Sequence, residues 1–126
     1  EQRGPTMGSL ATERLGRRAE RLAALWLRLK GYRVLGRRIR NRCGEIDLVC
    51  QRDGCIVFVE VKARRSTERA LQALGPRQQR RIAAAAAYYL KERPGLASRD
   101  CRFDLVTIDR LGLPRHVTDV WRSVGY

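Results

Sequence analysis

The 126-residue chain is strongly basic: 27 lysine and arginine residues stand against 13 aspartate and glutamate residues, which gives a formal net charge of +14. A chain of this length builds one domain with a single core, and such a basic surplus predicts binding to a polyanion, most commonly nucleic acid. All but three of the basic residues are arginine, a preference that suits phosphate binding and that codon bias in the source genome would also explain.

Cysteine usage and hydropathy exclude several classes of protein. The four cysteines form no CxxC pair and the chain has a single histidine, His116, so neither a zinc site nor a disulfide framework is expected. We predict four free thiols in a reducing compartment, and we expect His116 to be an ordinary surface or edge residue. The longest apolar run, residues 82–90, is too short to cross a bilayer, so we expect a cytoplasmic protein without a membrane span.

The first predicted element is a helix. Residues 1–11 are predicted to be a flexible leader, with Met7 a candidate start, and residues 12–126 to form the single domain. From Thr12 or Glu13 to Lys30, apolar residues recur at spacings of three and four: Leu15, Ala19, Leu22, Trp26 and Leu29. Glu20 lies off this stripe among small and apolar helical neighbours: Gly16, Ala23, Ala24 and Leu27. A carboxylate on such a second covered face is unusual and marks a candidate site residue, with a surface ion pair to Arg17 as the alternative.

The remaining elements combine strands with one further helix. We predict a strand over residues 32–39, a hairpin over 44–62, a helix from Pro76 to about Glu92, a strand over 102–109 and a final strand or turn of helix over 116–124. Residues 63–75 show no clear period and are predicted to be a loop, either folding over a bound substrate or serving as a mobile connection. This order predicts an α/β domain with a mixed β-sheet flanked by α-helices.

The hairpin GEIDLVCQRDGCIVFVEVK organises the chain. Asp53-Gly54 is typical of a two-residue turn, and this turn sets Asp47 opposite Glu60 and Glu45 opposite Lys62. Because side chains alternate along a strand, these four charged residues share one face. The other face is aliphatic: Ile46, Leu48, Cys50, Val57, Val59 and Val61. We expect a helix to cover the aliphatic face and the charged face to open into a basic cleft.

Two opposed carboxylates need a compensating partner. At a separation of about 5 Å and an effective dielectric constant of about 20, they repel by about 3 kcal/mol. A neighbouring cation, a shared proton or a divalent metal ion would offset this repulsion, and a metal ion suits converging carboxylates best. The alternative is a solvated face on which Glu45 and Lys62 form an ordinary cross-strand ion pair.

The hairpin also resembles a known family. Asp47 followed by Glu60-Val61-Lys62 is similar to the D…(D/E)xK signature of the restriction-endonuclease-like PD-(D/E)xK nucleases. The longer stretches GEIDLV, VFVEVKAR and RFDLV resemble the YraN family of bacterial proteins, which is placed in that superfamily, over roughly residues 13–124. The resemblance implies a restriction-endonuclease-like fold and metal-dependent hydrolysis of phosphodiester bonds, with branched or damaged DNA among the candidate substrates.

The resemblance implies roles for individual residues. Asp47 and Glu60, with the backbone carbonyl of Val61, would bind Mg²⁺ or Mn²⁺. Lys62 would orient or help deprotonate the attacking water and stabilise charge on the phosphate. Glu20 matches a helix glutamate that faces the metal site in the family, and it would assist through a water molecule or a second metal ion.

Five arginines are the predicted nucleic-acid contacts, two after the hairpin and three in the first turns of the second helix: Arg64, Arg65, Arg77, Arg80 and Arg81. The family more usually has a lysine at or near Gln78, so the resemblance does not assign a substrate contact to this position. DNA is favoured over RNA as the partner, and a homodimer is left open. The alternative function is a non-catalytic nucleic-acid-binding module on the same fold; a third is a structural protein whose basic surface binds ribosomal RNA or an acidic partner.

Overall fold

The computed structural model describes residues 7–121, with side chains from residue 16 onward. The elements in chain order are α1 (Met7–Leu29), β1 (Arg33–Asn41), β2 (Gly44–Arg52), β3 (Cys55–Ala63), α2 (Thr67–Ala73), α3 (Pro76–Lys91), α4 (Pro94–Ala97), β4 (Cys101–Ile108) and β5 (Pro114–Trp121). The strands form one sheet in the order β1-β2-β3-β4-β5. The β3–β4 pair is parallel and the other three pairs are antiparallel. This mixed sheet with its helices confirms the predicted α/β class.

Both faces of the sheet are covered, because α1 and α3 pack on opposite sides. The α1 side of the core is built from one set of buried residues: Ala19, Ala23, Ala24, Leu27, Leu48, Cys50, Val57 and Val59. The α3 side is built from another: Ile46, Val49, Phe58, Ile82, Ala86, Tyr89, Phe103 and Leu105. Since α3 covers Val49 and Phe58, the expectation that this hairpin face opens into a cleft is wrong for most of its length. At its charged end, Asp47 and Lys62 are half-buried and Glu45 is exposed.

Helix α1 is longer than predicted and turns a broader face to the core than the predicted stripe. It begins at Met7, five residues before Thr12, because residues 7–11 contain no proline and include good helix formers. Leu27 is fully buried, whereas Leu29 of the predicted stripe is 78% exposed. Ala19, Leu22 and Trp26 of the predicted stripe pack against the α1 side of the core, so the stripe is confirmed at these positions. The second face, predicted around Glu20, is buried as well, because its small alanines let the helix approach the sheet closely.

The segment predicted as a loop, residues 63–75, contains the short helix α2. Its N-cap is Ser66, whose hydroxyl oxygen accepts the Arg69 N–H at 3.1 Å. Ala70 and Leu74 lie one turn apart and are both buried. A capping hydroxyl and two buried apolar residues are enough to stabilise a helix too short to show periodicity. The loop prediction is therefore wrong for residues 67–73.

The later elements agree with the predictions. Helix α3 begins at Pro76 as expected, β4 is a strand, and β5 settles the choice between strand and helical turn in favour of a strand. The four cysteines are free. Among the described helices, none combines the length and the hydropathy that a membrane span requires. Residues 1–6 of the predicted leader and residues 122–124 of the predicted last element lie outside the described residues.

Candidate functional site

The predicted hairpin register is confirmed where β2 and β3 are paired. Five Cα pairs run from Leu48–Val59 to Arg52–Cys55, and all follow the spacing set by the Asp53-Gly54 turn. Asp53 and Gly54 both have positive φ, at 51° and 79°, as a two-residue hairpin turn of this kind requires.

Beyond these pairs the two strands separate, and a carboxylate occupies the gap. The Asp47 Oδ2 atom accepts the backbone N–H of Val61 at 2.8 Å. The described strand pairing contains neither Asp47–Glu60 nor Glu45–Lys62. The expected cross-strand pairing of these residues is therefore wrong, and a contact from the Asp47 side chain to the β3 backbone takes its place.

The separation coincides with a change of face at Ile46. This side chain is buried with Phe58 on the α3 side, although strict alternation predicts it beside Leu48 on the α1 side. Helix α3 passes close to the start of β2: a Cβ atom at Gly44 would lie 3.2 Å from the carbonyl oxygen of Arg81. Burying Ile46 under this helix contributes about 2 kcal/mol relative to leaving the side chain exposed. The face predicted for Ile46 is wrong.

Glu60 is nearly buried, with 7% of its surface exposed. Its Oε2 atom accepts a hydrogen bond from Gln78 Nε2 at 2.8 Å. Burial raises the pKa of Glu60 far above its usual range, as do a hydrogen bond with Asp47 and the negative charge of that residue. The positive charge of Lys62 and a backbone hydrogen bond at Val61 act in the opposite direction and do not cancel the rise in pKa. The two carboxyl groups therefore converge, and without a cation they share a proton.

Gln78 links Glu60 to Lys62. Its Oε1 atom accepts a hydrogen bond from Lys62 Nζ at 3.2 Å, while its Nε2 atom donates to Glu60. The amide thus holds the ammonium group beside the carboxylate pair from the first turn of α3. From the sequence, Gln78 was noted only as a departure from the family pattern. Its position in the polar first turn of a helix that packs on a buried strand is the signal that could have identified it as a site residue.

Glu20 approaches the same carboxylates from α1. Its side chain is 15% exposed and its Oε2 atom lies 3.6 Å from Nε of Arg38, so Arg38 rather than Arg17 forms the ion pair. Burial raises the pKa of Glu20, and the negative charge of Asp47 adds to the rise. Arg38 has a φ of 51°, a left-handed conformation that costs energy for a residue with a Cβ atom.

Glu45 does not hold Lys62. It is the Cα partner of Arg40 on β1, and its Oε1 atom lies 3.5 Å from the Arg40 Nε atom. This side-chain pair is largely exposed, so it contributes little to stability. The proposed Glu45–Lys62 ion pair is wrong because the separation of β2 from β3 turns Glu45 towards β1.

The five predicted nucleic-acid contacts are all exposed: Arg64, Arg65, Arg77, Arg80 and Arg81. Arg81 lines a cleft of about 460 Å³ together with Gln78 and Glu45. Arg64 follows β3, and its guanidinium donates to the neighbouring Ala63 carbonyl. The structure therefore brings one of the five to a cleft beside the carboxylates.

The donor set at the site suits a metal ion that needs few protein ligands. Among the described side chains, no group of three or more histidine, cysteine, aspartate or glutamate residues is arranged to hold a metal ion. The converging oxygens of Asp47 and Glu60 remain, and Mg²⁺ commonly binds to one or two carboxylates while it keeps several water molecules. The Val61 carbonyl is expected at the same edge of β3 as its N–H, which points to Asp47. The residues present therefore fit a hydrated Mg²⁺ or Mn²⁺ ion.

A second buried charge cluster surrounds Asp104 on β4. Asp104 is fully buried and accepts hydrogen bonds from His116 at 2.7 Å, Arg102 at 3.0 Å and the Asp119 N–H at 2.9 Å. Burial raises the pKa of Asp104, but these hydrogen bonds outweigh that effect and the net pKa is lowered. His116 lies on the edge strand β5, but its side chain is only 3% exposed, so its assignment as an ordinary surface residue is wrong. Asp104, a carboxylate within an apolar strand, is the signal in the sequence that could have indicated a buried partner for His116.

Known proteins match most of the chain. The uncharacterised protein family UPF0102 matches residues 19–108, which include every element from β1 to β4. A UPF0102 protein of Parvibaculum lavamentivorans is 51% identical over 121 residues, 96% of this chain and 91% of the relative. A UPF0102 protein of Paramagnetospirillum magneticum is 46% identical over 122 residues, 94% of this chain and 95% of the relative. A UPF0102 protein of Rhodopseudomonas palustris is 48% identical over 111 residues, 88% of this chain and 85% of the relative. The chain therefore belongs to family UPF0102, the YraN family.

Proposed function

We propose that the chain is a metal-dependent hydrolase of phosphodiester bonds in nucleic acid, with DNA favoured over RNA. One observation carries the proposal: Asp47 and the nearly buried Glu60 converge where β2 and β3 separate, with the Lys62 ammonium held beside them. A pair of carboxylates that repel in a partly buried site is costly to keep unless it binds a cation. The formal net charge of +14 supports a polyanionic substrate.

The chain's own residues prepare the carboxylates for a metal ion. The Val61 N–H fixes the Asp47 carboxylate, and Gln78 fixes that of Glu60, so neither has to reorganise on binding. A bound Mg²⁺ or Mn²⁺ ion supplies Lewis acidity at the phosphate and makes a bound water more acidic. Because Glu60 holds a proton in the metal-free protein, metal binding displaces that proton, and metal affinity rises with pH.

Lys62 and Glu20 act on the phosphate and on water. The Lys62 ammonium is fixed by Gln78 and stabilises the negative charge that develops on the phosphate oxygens. Glu20, whose pKa is raised by burial and by the charge of Asp47, would assist through a water molecule or a second metal ion, as the family resemblance implies. The roles of Lys62 and Glu20 are those that the family resemblance implies for the matching positions. Gln78 is an additional residue of the site, which positions Lys62.

The second candidate function is a non-catalytic nucleic-acid-binding module. It is favoured by the hydrogen bonds that already satisfy the carboxylates: Asp47 accepts from Val61, Glu60 accepts from Gln78, and a proton bridges the two acids. In that case Asp47 and Glu60 stabilise the end of the hairpin without a metal ion, and the basic surface alone binds the nucleic acid.

A cleavage assay separates the two functions. Linear, flapped and branched DNAs and matched RNAs would be incubated with the protein and with Mg²⁺ or Mn²⁺, beside Asp47→Asn and the matched control Asp100→Asn. Asp100 is exposed and lies at the start of β4, outside the site. We expect metal-dependent cleavage by the parent protein and by Asp100→Asn, and none by Asp47→Asn. Equal cleavage by Asp47→Asn would reject Asp47 as a residue of the hydrolytic site, and no cleavage by any variant on any substrate would leave the binding module as the function.

A further inference from the structure

Arginine is concentrated on one edge of the sheet. The edge strand β1 contains four arginines and the turn after it a fifth: Arg33, Arg37, Arg38, Arg40 and Arg42. The opposite edge strand, β5, contains one arginine and one aspartate, Arg115 and Asp119. Codon bias would enrich both edges alike, so it does not explain this asymmetry.

A cleft of about 600 Å³ lies between α1 and β1 on one face of the sheet. Its lining consists of five arginines and one carboxylate: Arg17, Arg18, Arg21, Arg37, Arg38 and Glu20. Glu20 pairs with Arg38, which leaves the cleft with a surplus of four positive charges. Guanidinium groups held this close repel each other, and a phosphate that accepts paired hydrogen bonds from them relieves the repulsion.

The second cleft, of about 460 Å³, lies on the other face of the sheet. It is formed by the β1–β2 turn and α3, and it is lined by Arg40, Arg42 and Arg81 together with Glu45 and Gln78. Because α1 and α3 cover opposite faces, the two clefts lie on either side of β1. The candidate site is linked to both, since Glu20 lines the first cleft and Gln78 lines the second.

We propose that a polynucleotide crosses the sheet edge at β1, with phosphates on one side of the reacting bond in the α1–β1 cleft and phosphates on the other side in the α3 cleft. This inference rests on the proposed function and names the substrate path to that site. Charged residues on an edge strand also discourage aggregation, which would account for Arg37. That role does not account for Arg18 and Arg21, which extend the same basic lining onto α1.

The test compares three triple variants that each remove three positive charges. One is in the α1–β1 cleft (Arg18→Gln, Arg21→Gln and Arg37→Gln), one is in the α3 cleft (Arg40→Gln, Arg42→Gln and Arg81→Gln), and one is the matched control away from β1 (Arg99→Gln, Arg110→Gln and Arg115→Gln). All nine residues are exposed, so the fold tolerates the changes. Thermal melting of each variant verifies folding. Arg38 is left intact because it holds Glu20.

Binding would be measured by fluorescence anisotropy with a labelled oligonucleotide, in the Asp47→Asn background and without divalent metal, across a range of salt concentrations. We expect each cleft variant to bind at least about tenfold more weakly, with a salt slope reduced by about 2, and the control to stay within about twofold. Equal losses in all three variants would show a response to net charge alone and would overturn the proposed path. Normal binding by both cleft variants would overturn it as well.

These measurements can reject the proposed substrate path and the proposed hydrolase activity independently of each other. Binding that depends on both clefts, in a parent protein that cleaves nothing, supports the path and rejects hydrolysis. Cleavage that continues in both cleft variants with unchanged substrate affinity rejects the path and retains hydrolysis. A protein that binds no polynucleotide at any salt concentration rejects both.

Discussion

Glu60→Gln tests the electrostatics of the site in the metal-free protein. The pKa of Glu60 is raised above its usual value of 4.5, first by burial and then by Asp47. Above pH 4.5 the unfolded chain therefore loses this proton while the folded protein retains it. The unfolded state binds fewer protons, so the free energy of unfolding falls as pH rises towards the folded pKa. Glutamine keeps a carbonyl oxygen for Gln78 and carries no proton to lose.

The size of the effect follows from proton linkage. Within the window between the two pKa values, each pH unit lowers the free energy of unfolding by about 1.4 kcal/mol. From about pH 5.5 to about pH 7.5 the contribution of Glu60 falls by about 3 kcal/mol, which for a domain of this size lowers the Tm by about 10 °C. Glu20 acts in the same direction, because its pKa is also raised. The difference between the parent protein and Glu60→Gln isolates the contribution of Glu60.

The assay is urea unfolding across this pH range, without divalent metal, on the parent protein, Glu60→Gln and a control. Glu92→Gln is the matched control, since Glu92 is exposed at the end of α3. We expect the free energy of unfolding to decline less steeply with pH for Glu60→Gln than for the parent protein and the control, and Glu60→Gln to be the more stable at neutral pH. Identical pH profiles for the parent protein and Glu60→Gln would refute the shared proton.

Three further variants probe individual contacts. Asp47→Ala should lower the free energy of unfolding by about 1 to 3 kcal/mol relative to Asp47→Asn, because it leaves the Val61 N–H without its acceptor; urea titration measures the difference. His116→Ala should cost about 2 to 3 kcal/mol by the same method, because the fully buried Asp104 loses a hydrogen-bond donor, and a cost near zero would contradict the buried pair. A divalent metal ion bound to the folded protein should raise the Tm; Lys62→Ala should keep this rise and lose cleavage, and loss of the rise as well would place Lys62 in metal binding.

The hairpin and the order of the elements along the chain were predictable because they depend on local signals. Alternating apolar residues and the Asp53-Gly54 turn define β2 and β3 and their register over five pairs. Pro76 and the apolar spacing after it define α3. Each of these signals lies within a short stretch of sequence, so it can be interpreted without knowing the tertiary packing.

The end of the hairpin was not predictable from periodicity. The alternation of faces breaks at Ile46 because α3, distant in sequence, offers a buried position there. That break turns Glu45 towards Arg40 and lets Asp47 reach the Val61 N–H. A pattern read along one strand carries no information about which helix will cover it.

The two buried polar clusters were not predictable for the same reason. His116 was predicted to be an ordinary surface or edge residue because it follows a proline-containing turn, whereas its partner Asp104 lies on the adjacent strand. Gln78 connects Glu60 to Lys62 only once α3 is placed over β3. Long-range contacts decide the roles of such residues, while the pair Asp47 and Glu60 was identified by its short spacing around the turn.

Titration with Mn²⁺ tests the central claim most directly, because it asks whether Asp47 and Glu60 form a divalent-metal site. Calorimetry on the parent protein, Asp47→Asn, Glu60→Gln and Asp100→Asn would report the number of ions bound and, in buffers of different ionisation enthalpy, the protons released. We expect one site in the parent protein and in Asp100→Asn, with proton release near neutral pH from Glu60, and no site in the other two variants. Equal Mn²⁺ binding by all four proteins, or none by any of them, would contradict the claim.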